Sequence, residues 1–331
     1  MHFIGCDVSK LTLDLAGMIP SGSPKPLILK VSNNPSGLTQ ITRWLDQHWL
    51  GQRSDICVVV EATGVYHLPA AEQLHTAGFK VTVCNPGRAA DYSRSQNRVN
   101  KSDASDALSL QRYGAGLEQI HWFEPNLPEI AQLKALLGLM DQLERDIRRW
   151  RNRLEKAQFL PCGGLPTKAI RRQIRNLERE LTRTQKDIDA LVASSESMKR
   201  DQQLMCSITG IGTKTSQRLL PLVQAGRFKS ARQMAAFLGL TPCHRTSGTS
   251  LRSPGRLSGR GDPRLRAALY MPAVSAIQHD PGMKGFYRTL IKRGKTPKQA
   301  LTAVMRKLVH VCYGVVKNQT PYQQDWGCLP N

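Results

Sequence analysis

The chain has 331 residues, 40% of them hydrophobic, and a formal net charge of +22 from 47 Lys and Arg against 25 Asp and Glu. It is long enough for a sizeable core and two or three domains, and far too basic for a neutral solvated surface, so it requires a polyanionic partner. The excess is lopsided: residues 199–331 hold 22 Lys and Arg and only 4 Asp and Glu, a net +18, which fits a nucleic-acid-binding domain joined to a near-neutral one.

In chain order, residues 2–9, 11–17 and 26–31 are short and apolar or alternating, and the turn IPSGSP precedes the third; together they predict an antiparallel meander. A helix near 37–50, a strand at 56–62, a helix near 66–78, a strand at 80–85 and a helical run from about 103 to 114 follow. The order βββαβαβα is the arrangement of an α/β RNase H-like (RuvC-like) domain, placed at 1–125, in which the first strand lies beside the fourth.

That arrangement gives four acidic residues a common address. Asp7 lies inside HFIGCDVS and Glu61 closes ICVVVE, so both sit on strands, while Asp103 and Asp106 in KSDASDA share one helix face. Like charges packed together are unfavourable unless a divalent cation neutralises them, and hard carboxylate oxygens suit Mg²⁺. Four such ligands match the needs of two-metal phosphoryl transfer, in which paired cations serve the attacking and leaving oxygens. Taken singly, Asp7 could bend an edge strand, Glu61 could cap a helix, and Asp103 and Asp106 could complement a helix dipole. Asp14, on the second strand, is expected to face solvent.

From 128 to 160 apolar residues recur at helical spacing: Ile130, Leu133, Leu137, Met140, Leu143, Ile147, Trp150 and Leu154. After the breaker PCGGLP, the series Ile170, Ile174, Leu177, Leu181, Thr184, Ile188 and Leu191 steps by four and three, the seam pattern of a coiled coil. Residues 126–198 are therefore expected to form a helical coiled-coil hairpin offering a dimerisation face.

The remaining segment, 199–331, is expected to be a mainly α-helical basic domain. It opens with SITGIGTKTSQRLL, a helix-hairpin-helix-like motif whose turn amides and Lys214 could face a phosphate, although a plain helix corner reads the same way. The stretch GLTPCHRTSGTSLRSPGRLSGRGDPRLRAALYMPA (239–273) interleaves Gly, Ser, Thr and Arg. Glycine admits a phosphate close to the backbone, and Arg245, Arg252, Arg256 and Arg260 supply donors, as Lys101 does beside the acidic helix. A hydroxyl here could be a turn residue or a nucleophile toward phosphate, steadied by flanking guanidiniums. Spacing alone does not choose among Ser247, Thr249, Ser250, Ser253 and Ser258.

Eight cysteines lie far apart with no C-x-x-C pair, as expected of buried thiols in a reducing cytoplasm. No apolar run reaches the ~18 residues of a membrane span, and the protein is expected to be soluble and nucleoid-associated.

The segments IGCDVSK, VVVEATGVY, NKSDASDA, SITGIGTKTS, ARQMAAFLGLTP, RTSGTS and LRAALYMPA resemble the DEDD transposases, insertion-sequence recombinases with a RuvC-like N-terminal domain and a C-terminal transposase domain. The likeness spans nearly the whole chain. It implies that Asp7, Glu61, Asp103 and Asp106 are the metal-binding catalytic acids and that Ser247 is the nucleophile. It further implies two Mg²⁺ ions, a structured noncoding guide RNA of the bridge type encoded by the element, donor and target DNA as partners, and a composite site in a homo-oligomer, a dimer that becomes a tetramer in the synaptic complex. Cys243, His244 and Thr249 depart from the bridge-RNA members and point to a sister subgroup. The reading is thus an RNA-guided DNA recombinase that excises and inserts its own insertion sequence. Its rivals are a RuvC-like junction nuclease that uses water, with the serine loop only binding DNA, and a basic nucleic-acid-binding protein with a decayed nuclease fold.

Overall fold

In the computed structural model the residues described are 1–19, 25–62, 64–96, 103–160, 164–226, 228–243, 246–247, 251–252, 256–257 and 261–324, with only the backbone described for 246–247, 251–252 and Arg256. Two compact units emerge, Met1–Pro125 and Asn126–Asn331.

The first unit is built on β1 (His2–Val8), β2 (Thr12–Gly17), β3 (Leu27–Ser32), β4 (Ile56–Glu61) and β5 (Lys80–Cys84), with sheet order β3-β2-β1-β4-β5. The strands β1, β2 and β3 form the expected antiparallel meander, and β4 runs parallel to both β1 and β5. This mixed sheet is compatible with an RNase H-like domain.

Strand parity sorts the side chains into two layers. Ile4, Cys6, Leu13, Leu15, Val31, Ile56, Val58 and Val60 share one buried cluster with Leu38, Ile41, Leu45 and Trp49 of α1 (Pro35–His48) and its end, and with Ala70, Ala71 and Leu74 of α2 (Leu68–Thr76). The opposite parity, Cys57 and Val59, packs with Cys84, with Ala89 of α3 (Pro86–Ser95) and with Leu110 of α4 (Asp103–Ala115). Helix α3 is absent from the sequence reading. Its signals are nonetheless present: Asn85 caps the helix by accepting from the Gly87 amide, and Pro86 occupies the first turn.

Two glycines let α4 lie close on the sheet. A Cβ on Gly5 would fall 1.8 Å from the Ala107 carbonyl oxygen and 2.6 Å from the Gln111 nitrogen, and one on Gly114 would fall 2.3 Å from Val59 Cγ2. Backbone and side chain therefore meet where any larger residue would intervene.

In the second unit, α5 (Pro128–Gln158) and α6 (Gly164–Ser194) pack against each other as a helical hairpin. Ile130, Leu133, Leu137, Met140, Leu143 and Ile147 are buried on α5, and Ile174, Thr184 and Ile188 on α6; near the end of α6, Val192 is buried rather than Leu191. The sequence reading separates 126–198 from 199–331. In the structure both belong to one compact unit, because Ile130, Leu133, Leu137, Met140, Ile188 and Val192 share a continuous core with the helices that follow. Those helices are α7 (Glu196–Cys206), α8 (Thr213–Val223), α9 (Ala231–Phe237), α10 (Pro263–Ala268), α11 (Tyr270–His279), α12 (Pro281–Lys292) and α13 (Pro297–Asn318). No described helix is long and apolar enough to cross a membrane.

Candidate active site

Parity and register put the acidic residues of the sheet in one row on the face covered by α4. Asp7 pairs directly with Asp14 across β1 and β2, and Asp14 with Lys30 across β2 and β3. On the other side the last printed pair is Cys6 with Val60, so Asp7 and Glu61 each stand one residue further along neighbouring parallel strands. The row reads Lys30, Asp14, Asp7, Glu61. Asp103 and Asp106, in the first turn of α4, come in above it.

The electrostatics show how closely these groups approach. Burial pushes the Asp7 carboxyl above the ordinary carboxylate range, with the Asp106 charge next in size and Asp103 and Asp14 adding to it, against a lowering hydrogen bond from the Val8 backbone. Glu61 and Asp106 line one cleft of about 350 Å³ between the end of β4, α3 and α4, together with Ser93, Arg94 and Ser105. Burial first, then the Glu61 charge, pushes the Cys84 thiol up to about 12. Among the described residues, no three His, Cys, Asp or Glu side chains are gathered tightly enough to form a chelating group. The carboxylates converge on one strand edge, short of a closed ligand shell.

Asp14 corrects an expectation. It is 5% exposed rather than solvent-facing, because α4 packs over β2 as well as β1. Its carboxylate lies 3.2 Å from Lys30 Nζ, which also donates to Asp103 at 2.9 Å. Lys30 thus ties the second strand to the first turn of α4 and partly offsets an otherwise unfavourable pairing of Asp7 with Asp14. Sequence reasoning missed Lys30 and Gly5 entirely. The signal for Asp14 and Lys30 was available in the strand register, since a short turn between β1 and β2 sets Asp14 opposite Asp7.

The chemistry of this donor set fits a hard divalent cation. Its candidates Asp7, Glu61, Asp103 and Asp106 offer carboxylate oxygens alone, and their mutual repulsion at Asp7 is what such an ion relieves.

In the second unit, the serine loop is a nested ladder. Pro242–Cys243 pairs with Arg256–Leu257, and within it Thr246–Ser247 pairs with Leu251–Arg252. Ser247 and Leu251 form the innermost pair, so the Ser247 backbone sits at the neck of the tip; Arg252 and Arg256 lie on the returning strands. Lys101, Arg245 and Arg260, with His244, Thr249, Ser250, Ser253 and Ser258, lie outside the described residues. Lys214 is exposed in the first turn of α8. Between α7 and α8, Gly210 adopts φ +93°, and a Cβ there would fall 2.4 Å from the Pro272 carbonyl oxygen. That glycine is explained by close packing on α11, so the turn has a structural reason independent of any phosphate. Four of the six described cysteines, Cys6, Cys57, Cys84 and Cys312, are buried free thiols, whereas Cys206 and Cys243 are exposed.

Comparison with known proteins gives this geometry a family. The model of the IS110-type DEDD transposase matches residues 4–158, and that of the transposase IS116/IS110/IS902 family matches residues 202–288. Pilin gene-inverting proteins of Moraxella lacunata and Moraxella bovis are each 30% identical over 324 residues, spanning 97% of this chain and 98% of theirs. A 43.6 kDa protein of the insertion element IS110 from Streptomyces coelicolor is 31% identical over 121 residues, covering 36% of this chain and 30% of its own. With both halves matched in order and two relatives aligned end to end, the chain belongs to the IS110 family of transposases.

Proposed function

We propose that this DNA-cleaving and joining enzyme is a Mg²⁺-dependent recombinase that excises and inserts its own insertion sequence under the guidance of a noncoding RNA. The observation that carries the DNA chemistry is the row of carboxylates at the strand edge beneath α4, in a chain matched to transposases in both halves. Asp7, Glu61, Asp103 and Asp106 would hold the cation, which when bound supplies charge neutralisation at a phosphate.

Ser247 is assigned as nucleophile on the likeness of its loop and on its position at the neck of the ladder. Attack by Oγ forms a phosphoserine ester as the strand's own P–O bond breaks, and the Oγ proton ends on the departing alcohol oxygen. Arg252 and Arg256, one and five positions past Leu251, the partner of Ser247, are assigned to the phosphate backbone, as are Lys101, Lys214, Arg245 and Arg260. The turn before α8 is assigned a helix-hairpin-helix role, and the α5–α6 hairpin a coiled-coil dimerisation role, in a tetramer that combines the acids of one protomer with Ser247 of another. The enzyme would act in the cytoplasm on nucleoid DNA.

The decisive experiment incubates wild type and Ser247→Ala with donor DNA and traps covalent protein–DNA adduct under denaturing conditions. The adduct is expected to vanish in the variant while nucleic-acid binding persists; an undiminished adduct removes Ser247 from the role. Free cut ends with a fully active variant would instead mark the water-using nuclease. Guidance by RNA is tested separately, by removing copurifying RNA with ribonuclease and restoring recombination with the element's own noncoding transcript.

A second reading uses the same chemistry for DNA inversion, and the end-to-end alignment with pilin gene-inverting proteins favours it. A plasmid carrying two sites in inverted orientation separates them: inversion of the intervening segment supports this reading, and excision with reinsertion supports the first.

A further inference from the structure

The α5–α6 hairpin has two halves of opposite electrical character. Its root, 126–144 with 184–198, carries 2 Lys and Arg against 6 Asp and Glu, and its buried Ile130, Leu133, Leu137, Met140, Ile188, Val192 and Met198 belong to the core of the second unit. Its distal half, 145–183, carries 12 Lys and Arg against 4 Asp and Glu, a net +8. There Ile147, Ala157 and Ile174 are buried but lie outside that core, so the distal half is held by helix-on-helix packing.

Along α6 the exposed cations fall on one stripe. Lys168, Arg171, Arg172 and Arg175 are spaced i, i+3, i+4 and i+7, which places them on one face along roughly 10 Å of helix. They line a shallow cleft of about 520 Å³ with Leu165 and Ala169. None of the four forms an ion pair among the described residues, whereas nearby Arg149 and Arg151 are paired with Asp146 and Glu178. Four cations left unneutralised on one helix face, in a segment of net +8, call for a negative partner.

A second copy of the same tip does not meet that requirement, since it would set one net +8 surface against another. A phosphate backbone does: it presents regularly spaced anions that planar guanidiniums bind without reading sequence.

We propose that the distal half of the hairpin is a docking surface for the phosphate backbone of duplex DNA, gripped by Lys168, Arg171, Arg172 and Arg175. The choice of DNA rests on the proposed recombinase function; the choice of a polyanion rests on the charge pattern alone. Each contact releases counterions, so the surface contributes salt-sensitive affinity shared by all sequences.

The test uses the full chain with Arg171→Gln, Arg172→Gln and Arg175→Gln combined, which removes charge and keeps helix propensity. Fluorescence anisotropy with a labelled DNA duplex, in chelator so that no strand is cut, gives Kd between roughly 50 and 200 mM salt. The slope of log Kd against log salt is expected to fall by about 2 to 3, with about tenfold or greater weakening at the low-salt end, while circular dichroism stays unchanged. An unchanged slope overturns the proposal. So does a loss seen only with an RNA duplex, or a drop in oligomeric mass by sedimentation with the DNA slope intact, which would assign the surface to RNA or to a second copy. Because the assay involves no chemistry, its failure leaves the recombinase reading standing, and chelator-resistant cleavage would sink that reading without touching this one.

Discussion

At the level of single residues, Asp7 is the most informative, because burial and three neighbouring carboxylates all oppose its ionisation. Its pKa in the fold is raised above that of the unfolded chain, so the fold favours the protonated form. Below the ordinary carboxylate value of about 4 both states are protonated and nothing is lost; as pH rises through that value and then through the raised one, the charged group destabilises the unit. Asp7→Asn is therefore expected to raise the melting temperature in chelator at neutral pH, with the gain fading toward pH 4, as thermal melts across that range would show. In Mg²⁺ the same variant is expected to lose both strand cleavage and any metal-induced rise in melting temperature. An Asp7→Asn protein that melts below wild type in chelator at pH 7 would contradict the crowding argument.

At the level of elements, the seating of α4 decides whether Asp103 and Asp106 reach the strand edge at all. Gly5 is the contact that sets it, since a Cβ there meets the backbone of α4 and not a flexible side-chain end. Gly5→Val is expected to destabilise the first unit by about 1 to 3 kcal/mol, the range for overpacking, and to abolish cleavage by lifting the helix; chemical denaturation and a nicking assay check the two effects. In the second unit, Asp141 of α5 accepts from Arg218 of α8 and lies 3.4 Å from Arg264 of α10, at the helix just after the serine loop. Arg218 and Asp141 are both largely buried, so among the described residues Asp141→Ala leaves the guanidinium with the 3.5 Å contact to Glu144 as its one carboxylate partner. A loss of about 2 kcal/mol is expected by urea denaturation. Asp141→Asn should recover part of it, by keeping one hydrogen bond.

At the level of the whole molecule, the excess of positive charge and the row of carboxylates reside in different compact units. The net +18 of residues 199–331 lies in the second unit, while the first carries the acids. Binding and cutting should then separate experimentally. Chelator is expected to abolish strand cleavage while leaving DNA affinity within about twofold, and raising salt from roughly 50 to 200 mM is expected to weaken binding by orders of magnitude for specific and nonspecific duplex alike. Cleavage gels and anisotropy on the same preparation check both. Cleavage that survives chelator, or affinity that ignores salt, would count against this division.

Local patterns determined much of this protein from the sequence alone. Alternating and helical periodicities gave the five strands of the first unit and the buried stripe Ile130 to Ile147, because they depend only on which neighbours share a face. The placement of Asp7 and Glu61 on strands and of Asp103 and Asp106 in the first turn of a helix was legible for the same reason. Contacts between distant segments were not legible. Asp14 became buried only when α4 crossed β2, Lys30 found Asp103 73 positions away, and the hairpin root merged with the basic segment through a shared core. Each depends on the depth at which one element settles on another, and that depth is set by glycine contacts and side-chain volume in three dimensions.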